Sequence, residues 1–165
     1  MTHFDVFNGD ADGIIALVQL RLAEPKESTL ITGVKRDISL LKQVDGDKAS
    51  SVTVLDISLE KNVAALTLLL EKKVDVFYAD HHRTGDIPKS AHLKTLINLD
   101  ANTCTSLIIN DLLKGQYVLW AIAAAFGDNM TAAAVALCKE QGLTNTDQNL
   151  LKDLGIYINY NGYGR

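Results

Sequence analysis

The nine residues Tyr78 to Asp86, YADHHRTGD, place one carboxylate and two adjacent imidazoles directly behind the apolar run VDVF. The chain has four histidines, so half of them fall in this one segment. A buried strand excludes imidazoles and a solvated loop seldom needs two in a row, so the pair points to chemistry. Further candidates are Asn8, Asp10 and Asp12 in NGDADG, Asp56 in TVLDIS and Asp128 in AFGDN. If a fold brought these carboxylates within a few ångströms, each pair would repel by roughly 4 kcal/mol at 4 Å and an effective dielectric of about 20. Basic residues close to these segments are few: Lys35, Arg36 and Arg83. Divalent cations relieve such repulsion with fewer parts. Mixed oxygen and imidazole donors suit Mn²⁺, Fe²⁺, Mg²⁺ or Zn²⁺, and the lack of paired cysteines weighs against a thiolate zinc site.

The elements that must position these residues alternate. Strands are predicted over His3–Phe7, Ser28–Gly33, Ser51–Ile57, Val74–Asp80 and Thr95–Asp100, with helical apolar spacing between the first four. The helical stretches are GIIALVQLRLAE, a short helix around ISLLKQV, and LEKNVAALTLLLEKK. After the fifth strand come only helices: CTSLIINDLL, YVLWAIAAAF, TAAAVALCKEQ and DQNLLKDLGIYI. The expected fold is α/β, doubly wound, with a mainly parallel five-stranded sheet, helices on both faces and a helical C-terminal part. In such a sheet, ligands bind outside the carboxyl ends of the strands, and the candidate acids follow those ends. Residues 1–158 are expected to form this domain. The polar, glycine-rich stretch 159–165 reads as a tail or the start of a linker to a further C-terminal domain.

Composition narrows the functions. The chain has 165 residues, 47% hydrophobic and 22% charged, within the range of a soluble single domain. Sixteen Lys and Arg against 20 Asp and Glu give a net charge of −4, and no basic run exceeds two residues. A surface of that kind is poorly suited to displacing counterions from a long duplex nucleic acid. The N-terminus turns polar too soon for a signal peptide, and the longest apolar run, Tyr117–Phe126, is too short to span a bilayer. With two distant cysteines, Cys104 and Cys138, the expected location is the reducing cytoplasm and no membrane partner is expected.

In order along the chain, DVFNGDADG, VTVLDIS, ADHH and AFGDN resemble the four motifs of the DHH phosphoesterase superfamily. That group includes RecJ-type exonucleases, oligoribonucleases and manganese-dependent pyrophosphatases. The resemblance covers nearly the whole chain and corresponds to the N-terminal catalytic domain of that family. It implies two divalent cations, Mn²⁺ in the first place and Mg²⁺ or another divalent metal as alternatives. Asp56 would bridge them. Asn8 and Asp10 would hold one cation, and Asp12, His81 and Asp128 the other. His82 would face the phosphoryl group, with Asp80 orienting a histidine and Arg83 beside them. The implied substrate is a small phosphorylated molecule or a short oligonucleotide, cleaved at a phosphodiester, phosphomonoester or phosphoanhydride bond. Asn8 departs from the pattern, because the family usually has histidine there and an amide is a weaker, neutral ligand.

Other residues have two readings. Lys35 and Arg36 could bind phosphate or serve as surface charges. Thr103, Thr105 and Ser106 open a helix whose N–H groups could receive a substrate anion, or they simply cap it. Cys104 at the same helix start would suit a low-pKa thiol. Trp120 and Phe126 read as core. Three alternatives to an active enzyme stay open: a non-catalytic module that binds metal or nucleotide, an isolated fragment inactive without a C-terminal substrate-binding domain, and an acidic-edged protein-interaction domain. The oligomeric state is open.

Overall fold

The protein is described from a computed structural model covering residues 2–34 and 38–163, the last three by backbone alone. Five strands form one all-parallel sheet: β1 (Thr2–Asn8), β2 (Thr29–Gly33), β3 (Ala49–Leu55), β4 (Asp75–Asp80) and β5 (Leu93–Ile97). Their spatial order is β2-β1-β3-β4-β5, so the chain reverses its winding direction between β1 and β3. The helices are α1 (Ala11–Ala23), α2 (Leu59–Glu71), α3 (Thr105–Leu112), α4 (Val118–Gly127), α5 (Thr131–Glu140) and α6 (Asn145–Tyr163). A 3₁₀ turn over Leu40–Gln43 replaces the short helix expected there.

The period-2 alternation of a strand explains both covered faces. Phe4, Val6, Val52, Val54, Val76 and Tyr78 point to one side, where they meet Leu40 and Leu41 of the 3₁₀ turn and Leu66, Leu69 and Leu70 of α2. The intervening residues Phe7, Leu55 and Ala79 point to the other side, against Ala16 and Leu17 of α1 and Ile109 of α3. Polar residues on that second face need partners. Asp5, fully buried in β1, accepts from Arg21 at 2.8 and 3.0 Å and from Ser28 at 2.7 Å, and pairs with His3 at 2.9 Å. Burial pushes this carboxyl up, yet the bonds from His3, Arg21 and Ser28 together hold it well below the usual carboxylate range. That network occupies the amino end of the sheet and leaves the carboxyl end for another purpose.

Two expectations are corrected. β5 stops at Ile97, because its ladder with β4 ends at the Asp80–Ile97 pair. Asp100 therefore lies beyond the strand, exposed, and accepts from the Asn102 N–H in a turn. Phe126 is buried, but Trp120 is 37% exposed, on the side of α4 that its neighbours leave uncovered. The backbone of residues 159–163 is helical and belongs to α6. Among the described residues no helix is long and apolar enough to cross a membrane.

The most apolar helix, α4, is buried because it packs against α1, α3, α5 and α6 together. Its approach to α6 is close enough that a Cβ on Gly155 would collide with the Ala123 carbonyl. Gly155→Ala is expected to destabilise the fold by about 1–3 kcal/mol, the usual cost of overpacking, despite the better helix propensity of alanine. A urea titration checks this; an unchanged or raised midpoint would show that the two helices are free to separate.

Candidate metal centre

Each chemical side chain sits where a strand or helix releases the chain at the carboxyl edge of the sheet. Asn8 is the last residue of β1, and Asp10 follows as the N-cap of α1, its carboxylate accepting from the Gly13 N–H at 2.9 Å. Asp12 lies in the first turn of α1. Asp56 comes directly after β3 with φ +63°, a left-handed conformation that non-glycine residues rarely adopt. Its N–H still bonds to the Ala79 carbonyl, so the strain turns the side chain out of the ladder without freeing the backbone. Asp80 ends β4, with His81 and His82 beyond it, and Asp128 is the C-cap of α4. Because β1 and β3 are where the winding reverses, their ends open a crevice, and Asn8 and Asp56 flank it.

These residues converge. His81 Nε2 lies 3.1 Å from Asp56 Oδ1, 3.5 Å from Asp12 Oδ2 and 4.0 Å from Asp128 Oδ2. Two overlapping groups could each hold a cation: Asp12, His81 and Asp128, and Asp56, Asp80, His81 and His82, with ligand atoms within 4.8 Å of one another in each. The electrostatics are those of a site short of positive charge. Asp56 is 1% exposed, and burial first, then the charges of Asp12, Asp10 and Asp80, push its carboxyl well above the usual range. His81 is pushed down, by burial first, against the raising pull of Asp12 and the other acids, so its imidazole favours the neutral, ligating form. One Asp80 oxygen is buried without a hydrogen-bond partner. The other bonds His82 Nδ1 at 2.6 Å, and that bond, against burial, raises the His82 pKa. A repelling carboxylate set, a neutral imidazole and an unsatisfied buried oxygen fit a divalent cation.

The N-terminus of α3 does receive an anion, and it is the Asp12 carboxylate. The N–H groups of Thr105 and Ser106 donate to its two oxygens at 2.9 and 2.7 Å, and Ser106 Oγ donates to the Asp12 carbonyl at 2.7 Å. Thr105 Oγ1 also donates to Asp56 Oδ1 at 3.1 Å, which joins the same helix start to a second acid. Ser106, expected on substrate, is fully buried with both donors directed at Asp12. Thr105, which the sequence offered as an anion site or a cap, instead donates to two of the candidate acids. Cys104, also buried, has its thiol pushed well up by burial first and then by the charge of Asp12, the reverse of an activated nucleophile.

A cavity of about 310 Å³ opens beside the cluster, lined by Asn8, Asp56 and His82 on one side, by Ile38 and Ile57, and by Lys61 and Arg83. Arg83 is strongly exposed and 3.6 Å from Glu60. Asn8 Oδ1 accepts from the Asp10 N–H at 3.3 Å, turned toward the loop that follows it. Lys35 and Arg36 lie outside the described residues.

The sequence matches no protein-family model and no curated protein. Solved structures do match. One, described as the DHH domain of a member of a family of ribosomal proteins, superposes with a TM-score of 0.68 at 15% identity, over 97% of this chain and 47% of that one. Another, the exonuclease RecJ bound to manganese, gives 0.51 at 18% identity, over 82% of this chain and 42% of that one. The chain thus spans less than half the length of either, and its fold is the one those DHH-type structures have.

Proposed function

We propose that this fold serves a metal-dependent phosphoesterase, one that hydrolyses a phosphodiester, phosphomonoester or phosphoanhydride bond in a small phosphorylated molecule or short oligonucleotide. The observation that carries the reading is the meeting of Asp12, Asp56 and Asp128 around His81 Nε2 at the carboxyl edge of the sheet. Asp12, His81 and Asp128 would hold one divalent cation, Asp10 and Asn8 a second, and Asp56 would be shared. Mn²⁺ is the first choice, since RecJ, with a similar fold, was solved with manganese. Bound cations would supply Lewis acidity and a nucleophilic water at neutral pH.

The remaining steps belong to the chain's own groups. Lys61 and Arg83 would add positive charge to a cavity wall that Asp56 and Glu60, 3.6 Å from Arg83, also line, and would help to hold an anionic ester once cations are bound. Ile38 and Ile57 give that cavity an apolar surface that limits water around the reacting bond. His82, with Nδ1 held by Asp80, keeps its proton to higher pH than a free imidazole and offers Nε2 to a phosphoryl oxygen or leaving group.

The test is phosphate or alcohol release from an aryl phosphodiester, pyrophosphate and a dinucleotide, with Mn²⁺, with Mg²⁺ and with chelator. Cation-dependent turnover of at least one, abolished by chelator, is expected. Absence of turnover with every metal would remove the enzyme reading for those classes. Asn8 favours a second reading, a module that binds metal or nucleotide without cleaving it, because an amide replaces an imidazole donor. That reading predicts thermal stabilisation by nucleotide and Mn²⁺ without product.

A further inference from the structure

Two of the ligand-bearing segments have no strand connection to each other. Asp10 and Asp12 belong to the start of α1, whereas Asp128 belongs to the end of α4. The two helices touch directly through Ala11, Ile15, Ala123 and Ala124, and one side chain of α6 bridges their polar ends. Asn159, on α6, accepts from the Ala11 N–H through Oδ1 at 2.6 Å, and its Nδ2 donates to the Gly127 carbonyl. Ala11 stands between Asp10 and Asp12, and Gly127 immediately precedes Asp128. The first of these bonds satisfies an N–H in the opening turn of one helix, and the second a carbonyl in the closing turn of another, groups that lack partners within their own helices. Only a primary amide offers an acceptor and a donor side by side at this reach; aspartate keeps only the acceptor and leucine keeps neither. The fit is tight, for a Cβ on Gly127 would lie 3.0 Å from the Ala11 Cβ and 3.3 Å from Asn159 Nδ2.

We infer that Asn159 is a positioning residue of the metal centre, fixing the distance between the Asp10–Asp12 segment and Asp128 so that both reach the same cation as His81. This rests on the metal reading above but concerns residues that reading does not use. It also gives α6 a role beyond packing: movement of that helix would shift two ligand segments at once.

The experiment compares the wild-type chain with Asn159→Leu, Asn159→Asp and the remote packing variant Leu93→Ala, whose β5 side chain packs against the far face of the sheet. Mn²⁺ affinity is measured by calorimetry, the Ala11 amide by hydrogen exchange and the melting temperature by circular dichroism. Loss of partners that orient metal ligands typically weakens metal binding about 10–100-fold. That loss is expected for Asn159→Leu, together with a deprotected Ala11 amide. Asn159→Asp should keep Ala11 protected yet still bind Mn²⁺ more weakly, because the Gly127 bond is gone. Leu93→Ala should lower the melting temperature and leave Mn²⁺ affinity unchanged. Wild-type affinity in Asn159→Leu, or an equal loss in Leu93→Ala, overturns the inference while leaving the metal site intact. If Asn159→Leu does not fold, wild-type affinity in Asn159→Asp overturns it. A wild-type chain that binds no cation overturns the metal reading and this inference together, before any variant is compared.

Discussion

Asp56→Asn is expected to reduce cation-dependent hydrolysis by about 10³-fold or more while raising the melting temperature of the metal-free chain. The first effect follows from losing the carboxylate proposed to be shared by the two cations. Transition-state stabilisation by a bound cation is worth several kcal/mol, and each 1.4 kcal/mol is about tenfold in rate. The second follows from burial. Asp56 is almost fully enclosed beside Asp10, Asp12 and Asp80, so its charge opposes folding when no cation is present. Asparagine keeps the shape and tolerates the left-handed backbone at φ +63°, whereas alanine there would add strain. Relief of about 1–3 kcal/mol corresponds to roughly 2–12 °C in a chain of this size. Linkage fixes the pH dependence. A carboxyl whose folded pKa is raised contributes stability below its unfolded pKa, and that contribution is lost as pH rises through the folded value. The wild-type apoprotein should therefore weaken as pH climbs above the ordinary carboxylate range, and saturating Mn²⁺ should abolish the decline. A metal-free Asp56→Asn that melts lower than wild type across that range would contradict the crowded-acid picture.

Asp80→Asn should cost about 10²–10⁴ in rate at neutral pH, the usual worth of a positioned general acid or base. Asp80 holds its carboxylate 2.6 Å from His82 Nδ1 and keeps the ring in place. The His82 pKa is raised by that bond, so the protonated form survives to higher pH than in a free imidazole. Activity that needs this proton is present below the raised value and falls as pH climbs through it. In Asp80→Asn the descending limb of the pH–rate profile should move to lower pH. Stability follows the same sign: the contribution of His82 is full below its unfolded pKa and is lost as pH rises through the folded one. A profile whose limb stays in place in Asp80→Asn would show that His82 carries no proton in the reaction.

The sheet and the acid-bearing strand ends were legible because both depend on short-range pattern. Apolar runs on β1, β3 and β4 gave parallel strands buried on two faces, and a parallel sheet places the next residues at one edge. What sequence hid was partner choice across long separations. Ser106 read as a substrate ligand because a helix start attracts anions, but the nearest anion was Asp12, supplied from 94 residues away. Asn159 sat in a polar, glycine-rich stretch that looked like a tail, and its partners Ala11 and Gly127 lie 148 and 32 residues distant. No local spacing encodes such a bond. Trp120 was misread for the opposite reason: α4 is apolar all round, so pattern alone gave no face to solvent.

The bonds from Thr105 and Ser106 to Asp12 also set a timetable for biosynthesis. The Asp12 carboxylate leaves the ribosome some 93 residues ahead of the amides that receive it. Closing so long a loop carries an entropic cost and slows the step that completes it. A nascent chain consequently presents Asp12 before the helix start that orders it, and the candidate metal centre is complete only once translation has delivered the helical half.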